Sequence, residues 1–382
     1  MKIGLLGHGV VGSGVRQIID GRGSEALRGL EVVKILVKDQ SEICDPRMTL
    51  SAREILEDPE IGAVAECMGG LEPAHSFVHQ ALESGKSAVT SNKKMMASFY
   101  EDLSTAAKAH HARILYEASA GGGIPWMHEL GRVRRIDEVQ SFSGIFNGTT
   151  NYILSRMHEE GKEFDELLKE AQKLGYAERD PGDDIDGLDV RYKVCLSCAK
   201  AFGRITEPAA IPAYGIRSIR REDIAWGAAN GLSVKLIGSG QVQNNILSAS
   251  VLPAFIPDKE VLAHIPLNFN ALESVSPTLG PAVFIGQGAG SLPTAHAVVQ
   301  DLLNLAQGSD DWIGEEKKSA VDNRARRGVY YVRTARPEAF ASVIGRPITQ
   351  HSFLSTQTAL TQMEKLVHDA QDPELFLAEV KR

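Results

Sequence analysis

A glycine triplet stands seven residues into the chain, and its surroundings constrain the fold more than any other feature. Gly7-His8-Gly9-Val10-Val11-Gly12 follows the short apolar run Lys2 to Leu6 and precedes apolar residues at helical spacing from Val10 to Ile19. Strand, GxGxxG turn and helix in that order form the dinucleotide-binding fingerprint. Gly7 permits the tight turn, Gly9 lets a pyrophosphate approach the main chain, and Gly12 lets helix and strand pack closely. The helix N-terminus then offers unpaired N–H groups and a positive dipole end to phosphate. Val10 and Val11 complete the candidate pyrophosphate loop. His8, inside the turn, either touches the pyrophosphate or faces solvent.

The alternation continues. Glu31–Val37, Ile61–Cys67, Ser87–Thr90 and Ile114–Glu117 read as strands, and Ala52–Leu56, Glu72–Glu83 and Asp102–His110 read as helices. Such a rhythm predicts an α/β class with a Rossmann-type, doubly wound parallel sheet. The second strand ends in Val37-Lys38-Asp39. An acid there suits the ribose 2′-hydroxyl of NAD, whereas Lys38 suits the 2′-phosphate of NADP, so either cofactor fits, with NADP favoured. Lys93 in Thr90-Ser91-Asn92-Lys93 lies just past the carboxyl end of a buried strand, where ligands of open α/β sheets bind.

After Gly121-Gly122-Gly123-Ile124-Pro125 the pattern changes to longer polar strands and to helices near 149–158, 163–174 and 186–202, an inserted α+β domain. A second glycine cluster, Gly286 to Gly290, precedes a helix with an apolar stripe (Ala295, Val298, Val299, Leu302, Leu303) that would return the chain to the first sheet. Gly290 is a candidate cofactor residue. Residues 308–327 read as a linker, and the last 55 or so alternate strand-like and helix-like stretches.

Residues 175–193, GYAERDPGDDIDGLDVRYK, crowd acids before a helix. Asp189 and Lys193 are i, i+4 and share a face. By composition this is equally a solvated ion-pair helix. The functional alternative has Glu178, Asp184 and Asp189 gripping an ammonium while Lys193 moves a proton. A carboxylate beside the lysine stabilises its charged form, whereas burial and a cationic nicotinamide oppose it. With Glu170, Asp180, Asp183 and Asp186, seven carboxylates stand close together in sequence.

Together these residues resemble the homoserine dehydrogenases. The similar segments are GLLGHGVVGSGV (4–15), TSNK (90–93), EASAGGGIP (117–125), GIFNGTTNYIL (144–154), residues 175–193 and GQGAGSLPTA (286–295), in family order over roughly residues 1–310. The resemblance implies interconversion of L-homoserine and L-aspartate 4-semialdehyde with NADP or NAD, in threonine and methionine synthesis. It implies Lys193 as proton donor and acceptor at the substrate oxygen. Lys93 would touch cofactor and substrate, and Glu178, Asp184 and Asp189 would surround the substrate's amino end. It further implies a monovalent cation, Na+ or K+, at Glu117, Ala120, Gly122 and Ile124, and a homodimer. The expected division is 1–128 with 286–315 for the NAD(P)-binding domain and 129–285 for the catalytic and dimerisation domain. Residues 325–382 would be a truncated ACT-like region, short enough to put threonine feedback in doubt.

Other classes are disfavoured. Lys plus Arg is 41 against 49 for Asp plus Glu, a net charge of −8, which argues against nucleic acid as a partner. No run of 18 apolar residues suggests a membrane span. Four cysteines give no disulfide framework and fit a cytoplasmic setting. Cys195-Leu196-Ser197-Cys198 lacks the second pair a metal site needs. A glucose–fructose oxidoreductase-like enzyme also carries a lysine after this strand, but usually followed by proline. A phosphorylating aldehyde dehydrogenase needs a nucleophilic cysteine that is not evident here. A cofactor-sensing homologue would be favoured by loss of Lys93, Lys193 or Glu178, all of which are present.

Overall fold

Lys2–Leu6 has four consecutive buried residues, the pattern of a strand covered on both faces, and only a parallel sheet with helices on each side provides that cover. The computed structural model, which describes residues 1–309 and 316–381, has this sheet. The expected domain end at 315 and part of the expected linker lie outside the described residues.

The chain runs β1 (Lys2–Leu6), α1 (Val10–Gly21), β2 (Glu31–Leu36), β3 (Met48–Thr49), α2 (Arg53–Leu56), β4 (Ile61–Glu66), α3 (Ala74–Glu83) and β5 (Ser87–Thr90). Then come α4 (Lys93–Ser98), α5 (Tyr100–Ala109), β6 (Ile114–Leu115), α6 (Trp126–Val133), β7 (Ser141–Ile145), α7 (Gly148–Glu160), α8 (Phe164–Lys173) and α9 (Gly182–Ile185). Helix α10 (Leu188–Phe202) leads to β8 (Arg204–Ile205), α11 (Arg221–Ala229), β9 (Leu232–Gln243), β10 (Ile246–Pro257), β11 (Phe269–Ser276) and β12 (Gly280–Gln287). The chain continues through α12 (Ser291–Ala306), β13 (Lys317–Lys318), β14 (Arg327–Arg333), β15 (Ile344–Pro347), β16 (Ser352–Ser355), β17 (Thr358–Ala359), α13 (Leu360–Ala370) and β18 (Phe376–Val380).

Two compact units result. The first holds Met1–Ile136, Ala199–Ile205 and Gln287–Glu316. Its parallel sheet has the order β3-β2-β1-β4-β5-β6. The order reverses between β1 and β4, which opens a crevice at the strands' carboxyl ends. Ile3, Leu5, Val32, Ile35, Ala63 and Ala65 of the strands pack with Val15 and Ile19 of α1 and Ala295, Val298, Val299 and Leu302 of α12. The expected return of the 291–306 helix to the first sheet is thus observed. Contact between α1 and α12 is close: a Cβ on Gly14 would lie 2.8 Å from that of Ala295.

The second unit holds Asp137–Cys198, Thr206–Gly286 and Lys317–Arg382. Its mixed sheet runs β12-β11-β7-β9-β10-β18-β14-β16-β15, with β17 beside β14. The long β9–β10 hairpin is antiparallel from Leu232↔Pro257 to Gln243↔Ile246. The last 55 residues join this sheet, since β18 pairs in parallel with β10 through Ala254↔Glu379 and Phe255↔Val380. Their own path is β14, a one-turn 3-10 helix (Pro337–Phe340), β15, β16, the two-residue β17, α13 and β18. A buried ion pair ties this tail to α11. Asp223 accepts from Arg333 Nε at 2.9 Å and Nη2 at 3.0 Å, and from Tyr331 Oη at 2.8 Å.

Candidate active site

In the first unit the glycine loop has distinct space at each position. Gly7 has φ +99°, left-handed backbone that favours glycine. A Cβ at Gly12 would sit 2.1 Å from Gly7 O, whereas one at Gly9 would have nothing within 4 Å. The loop is therefore closed behind Gly12 and open before Gly9. Gly9 starts α1 without a side-chain cap, and no acid lies in the first turn, so nothing of that kind competes with an anion for the first N–H groups. Ser291 Oγ donates to Val10 O at 2.7 Å, which seats Gly290 (φ +125°) beside the same helix start. These features fit a dinucleotide pyrophosphate.

Lys38 is exposed, and the N–H of Asp39 is bonded to Glu42 Oε1 at 3.0 Å. His8 is half-buried rather than solvated. Its Nε2 is enclosed without a hydrogen-bond partner among the described residues, and burial, then Arg16, holds its pKa below the usual range.

Lys93 is half-buried and opens α4. The preceding Asn92 caps that helix, its Oδ1 accepting from Met95 N at 3.1 Å. In the EASAGGGIP loop, a Cβ on Gly122 would lie 2.2 Å from Gly288 O, and Gly123 N donates to Gln287 O at 3.0 Å. The two glycine clusters interlock through main chain, which excludes side chains there. The Glu117 carboxylate faces away from cation duty: its oxygens accept from Met127 N (3.1 Å) and His128 N (2.7 Å) at the start of α6. Burial and the nearby Asp301 push its pKa up to about 7. A cation in this loop would have to be held by main-chain oxygens.

In the second unit, Lys193 and Asp189 lie one turn apart on α10, 8% and 3% exposed. Lys193 Nζ donates to Asp189 Oδ2 at 2.7 Å and to Phe146 O at 2.6 Å. Asn147 closes the group: its Nδ2 donates to Asp184 Oδ1 at 2.7 Å and Asp189 Oδ2 at 2.9 Å. Its Oδ1 caps α7 by accepting from Thr150 N at 2.8 Å. Asn147, between the end of β7 and the start of α7, thus ties Asp184 to Asp189, and Asp189 with the Phe146 carbonyl holds the buried ammonium, a built site rather than a solvated ion-pair face.

Sequence reasoning missed Asn147 and the Phe146 carbonyl. The available signal was an Asn before Gly-Thr-Thr at a helix start, where an N-cap amide is held rigid. The seven-acid cluster does not survive intact. Asp186 is paired with Arg217 at 2.7 Å, and Glu170 accepts from Tyr152 Oη at 2.5 Å. The Glu178 side chain is exposed, and among the described residues its main-chain oxygen accepts from Gln172 Nε2 at 3.0 Å. Cys195 and Cys198 are buried on α10, and burial pushes the Cys195 thiol up to about 12, which leaves no reactive thiolate.

Residues 125–303 match the homoserine dehydrogenase family, and residues 7–117 match the homoserine dehydrogenase NAD binding domain. A homoserine dehydrogenase of Synechocystis is 40% identical over 80% of this chain and 73% of its own length. That of Bacillus subtilis is 36% identical over 79% and 72%. Among solved structures, the Thiobacillus denitrificans homoserine dehydrogenase superposes with TM-score 0.87 at 29% identity, covering 100% of this chain and 98% of that one. A hyperthermophilic archaeal homoserine dehydrogenase in complex with NADPH gives 0.69 at 26% identity, over 81% of this chain and 98% of that one.

Proposed function

The chain belongs to the homoserine dehydrogenase family, NAD(P)-dependent oxidoreductases acting on a CH–OH group, and from that premise we propose how its residues divide the work. Lys193 is the proton donor and acceptor at the oxygen that interconverts between L-homoserine and L-aspartate 4-semialdehyde. The observation that carries this is the Lys193–Asp189–Asn147–Asp184 network.

Bound NAD(P)(H) supplies or accepts the hydride at the reacting carbon. Lys193, held by a carboxylate and a carbonyl, is arranged as a charged donor. In reduction, its ammonium stabilises the developing alkoxide and then protonates it. In oxidation the reverse holds: the neutral amine left by that protonation takes the hydroxyl proton back onto Nζ. Asp189 orients Lys193, and Asp184 and Glu178 receive the substrate's ammonium, the exposed Glu178 being available to a ligand. Gly7, Gly9, Val10, Val11, Gly12 and Gly290 hold the pyrophosphate, and Lys93 bridges cofactor and substrate.

Na+ or K+ would be held by the carbonyl oxygens of Glu117, Ala120, Gly122 and Ile124. Ile124 O already accepts from Trp126 N at 2.7 Å but keeps a second lone pair. The tail is read as an ACT-like βαββαβ module whose first helix has shrunk to one turn. It would be a third segment, 325–382, after the 1–128/286–315 and 129–285 domains. A cytoplasmic homodimer completes the reading. Among the described residues no helix is long and apolar enough to cross a membrane.

The test is turnover of L-homoserine by purified protein with each cofactor, with and without threonine. Lys193→Ala is expected to abolish turnover while cofactor binding persists, and near-normal rates in that variant would sink the assignment. Lys38→Ala is expected to lower the NADP-to-NAD ratio of kcat/KM by about tenfold, the loss of one charge-assisted contact. An unchanged ratio would remove Lys38 from the site.

A further inference from the structure

Glu66, the last residue of β4, is fully buried, at the carboxyl end of the sheet beside the β1–β4 crevice. Burying a carboxylate is costly unless each oxygen is hydrogen-bonded, and an apolar residue would end this strand at lower cost. The carboxylate is fully engaged. Oε1 accepts from Met68 N at 2.7 Å and Gly69 N at 3.2 Å, and Oε2 accepts from Thr90 Oγ1 at 2.5 Å.

These bonds close a ring. Thr90 Oγ1 accepts from Asn92 N at 2.9 Å, and Asn92 Nδ2 donates to Gly70 O at 2.7 Å. The ring joins the 67–70 loop, where Gly69 and Gly70 both have φ +76°, to the 90–92 segment. Asn92 then caps the helix that Lys93 opens. On its other side the 67–70 loop abuts the glycine loop, since a Cβ on Gly7 would lie 3.0 Å from Cys67 O. One carboxylate therefore sets the mutual position of two segments, the 67–70 loop and the 90–92 turn, at the same end of the sheet.

We propose that Glu66 is a positioning residue that holds the 67–70 loop and the Lys93 turn in register for the nicotinamide half of the cofactor. The proposal rests on the reading of this crevice as the hydride-transfer site. The adenosine half, read by the glycine loop and the end of β2, does not depend on the ring. Glutamine at 66 keeps one carbonyl oxygen for Met68 and Gly69, but its amide must donate where the Thr90 hydroxyl now donates. Because the Thr90 hydroxyl can also accept, glutamine can keep contact on both sides, whereas alanine removes all three Glu66 bonds.

The experiment compares binding of ADP, which carries only the adenosine diphosphate half, with binding of NADPH by titration, alongside homoserine turnover. Glu66→Ala is expected to weaken NADPH and lower kcat, each by about tenfold, while ADP affinity stays within about twofold. Glu66→Gln is expected to recover most of both losses. Equal loss of ADP and NADPH affinity, or wild-type NADPH affinity in Glu66→Ala, would overturn the proposal. Should Glu66→Ala fail to fold, Thr90→Val, which removes the hydroxyl that donates to Oε2 and accepts from Asn92 N, is read by the same ADP-to-NADPH comparison, with the same outcomes deciding. Absent homoserine turnover in the unmutated protein would fault the substrate assignment, whereas the ADP-to-NADPH comparison involves no substrate.

Discussion

Alanine at Gly9 and alanine at Gly12 should separate two roles that one motif combines. At Gly12 the added Cβ would meet the Gly7 carbonyl at 2.1 Å. That neighbour is main chain, so no side-chain rotation relieves the overlap. The start of α1 or the turn must shift by on the order of 1 Å, at an overpacking cost of about 1–3 kcal/mol. Replacing glycine inside a helix returns about 1 kcal/mol, so the net loss is roughly 0–2 kcal/mol. For a unit of this size that is a fall in Tm of up to about 8 °C. At Gly9 the Cβ meets nothing, and φ −73° suits alanine. Stability should hold within about 0.5 kcal/mol. The open space before Gly9 is where the pyrophosphate approaches, so the methyl should cost at least one charge-assisted bond, about 1.5–3 kcal/mol, or roughly ten- to a hundredfold in Kd. Thermal melts and NADPH fluorescence titrations of both variants give the answer. Wild-type NADPH affinity in Gly9→Ala would refute the argument, as would a larger loss of Tm in Gly9→Ala than in Gly12→Ala.

Two further outcomes follow from buried charges. Asp223→Ala leaves the Arg333 guanidinium buried without its carboxylate and should cost about 3–5 kcal/mol. A companion Arg333→Met change should recover part of it, and a shift in Tm under about 2 °C in Asp223→Ala would show the pair to be dispensable. Glu117 has a folded-state pKa raised from 4.5 to about 7. The folded state therefore holds the proton more tightly than the unfolded chain. The resulting stability is fully present below pH 4.5 and is lost as pH rises through about 7, about 3 kcal/mol in all. Urea unfolding between pH 5 and pH 8 should show a smaller decline in Glu117→Gln than in the unmutated protein, and parallel declines would contradict the assignment.

The first unit was legible because its information is local. Apolar runs, a glycine turn at residue 7 and helical spacing each act within about a dozen residues, and the observed strands Lys2–Leu6 and Ser87–Thr90 coincide with the expected ones. Helices expected near 149–158, 163–174 and 186–202 are found at Gly148–Glu160, Phe164–Lys173 and Leu188–Phe202. Strand Ile114–Glu117 was read too long: it ends at Leu115, and Glu117 turns inward to cap α6. In the site, the Asp189–Lys193 pair was readable from i, i+4 spacing alone. Asn147 was not, because its partner Asp189 lies 42 residues away. Acid density misled for the same reason, since neither Arg217 beside Asp186 nor Tyr152 beside Glu170 is signalled by the spacing of the acids. The pairing of β18 with β10 spans more than a hundred residues, beyond any local pattern.

That last pairing makes the tail something other than a detachable appendage. Strand β10 meets β9 on one side and β18 on the other, and Lys381 N donates to Phe255 O at 2.9 Å. A chain ending before residue 327 would keep the glycine loop and the Lys193 network but present the bare hydrogen-bonding edge of β10 around Ala254 and Phe255. Exposed apolar edges recruit other strands. A premature stop in the final 55 codons is thus expected to yield a protein that self-associates and precipitates, rather than a shortened and unregulated enzyme.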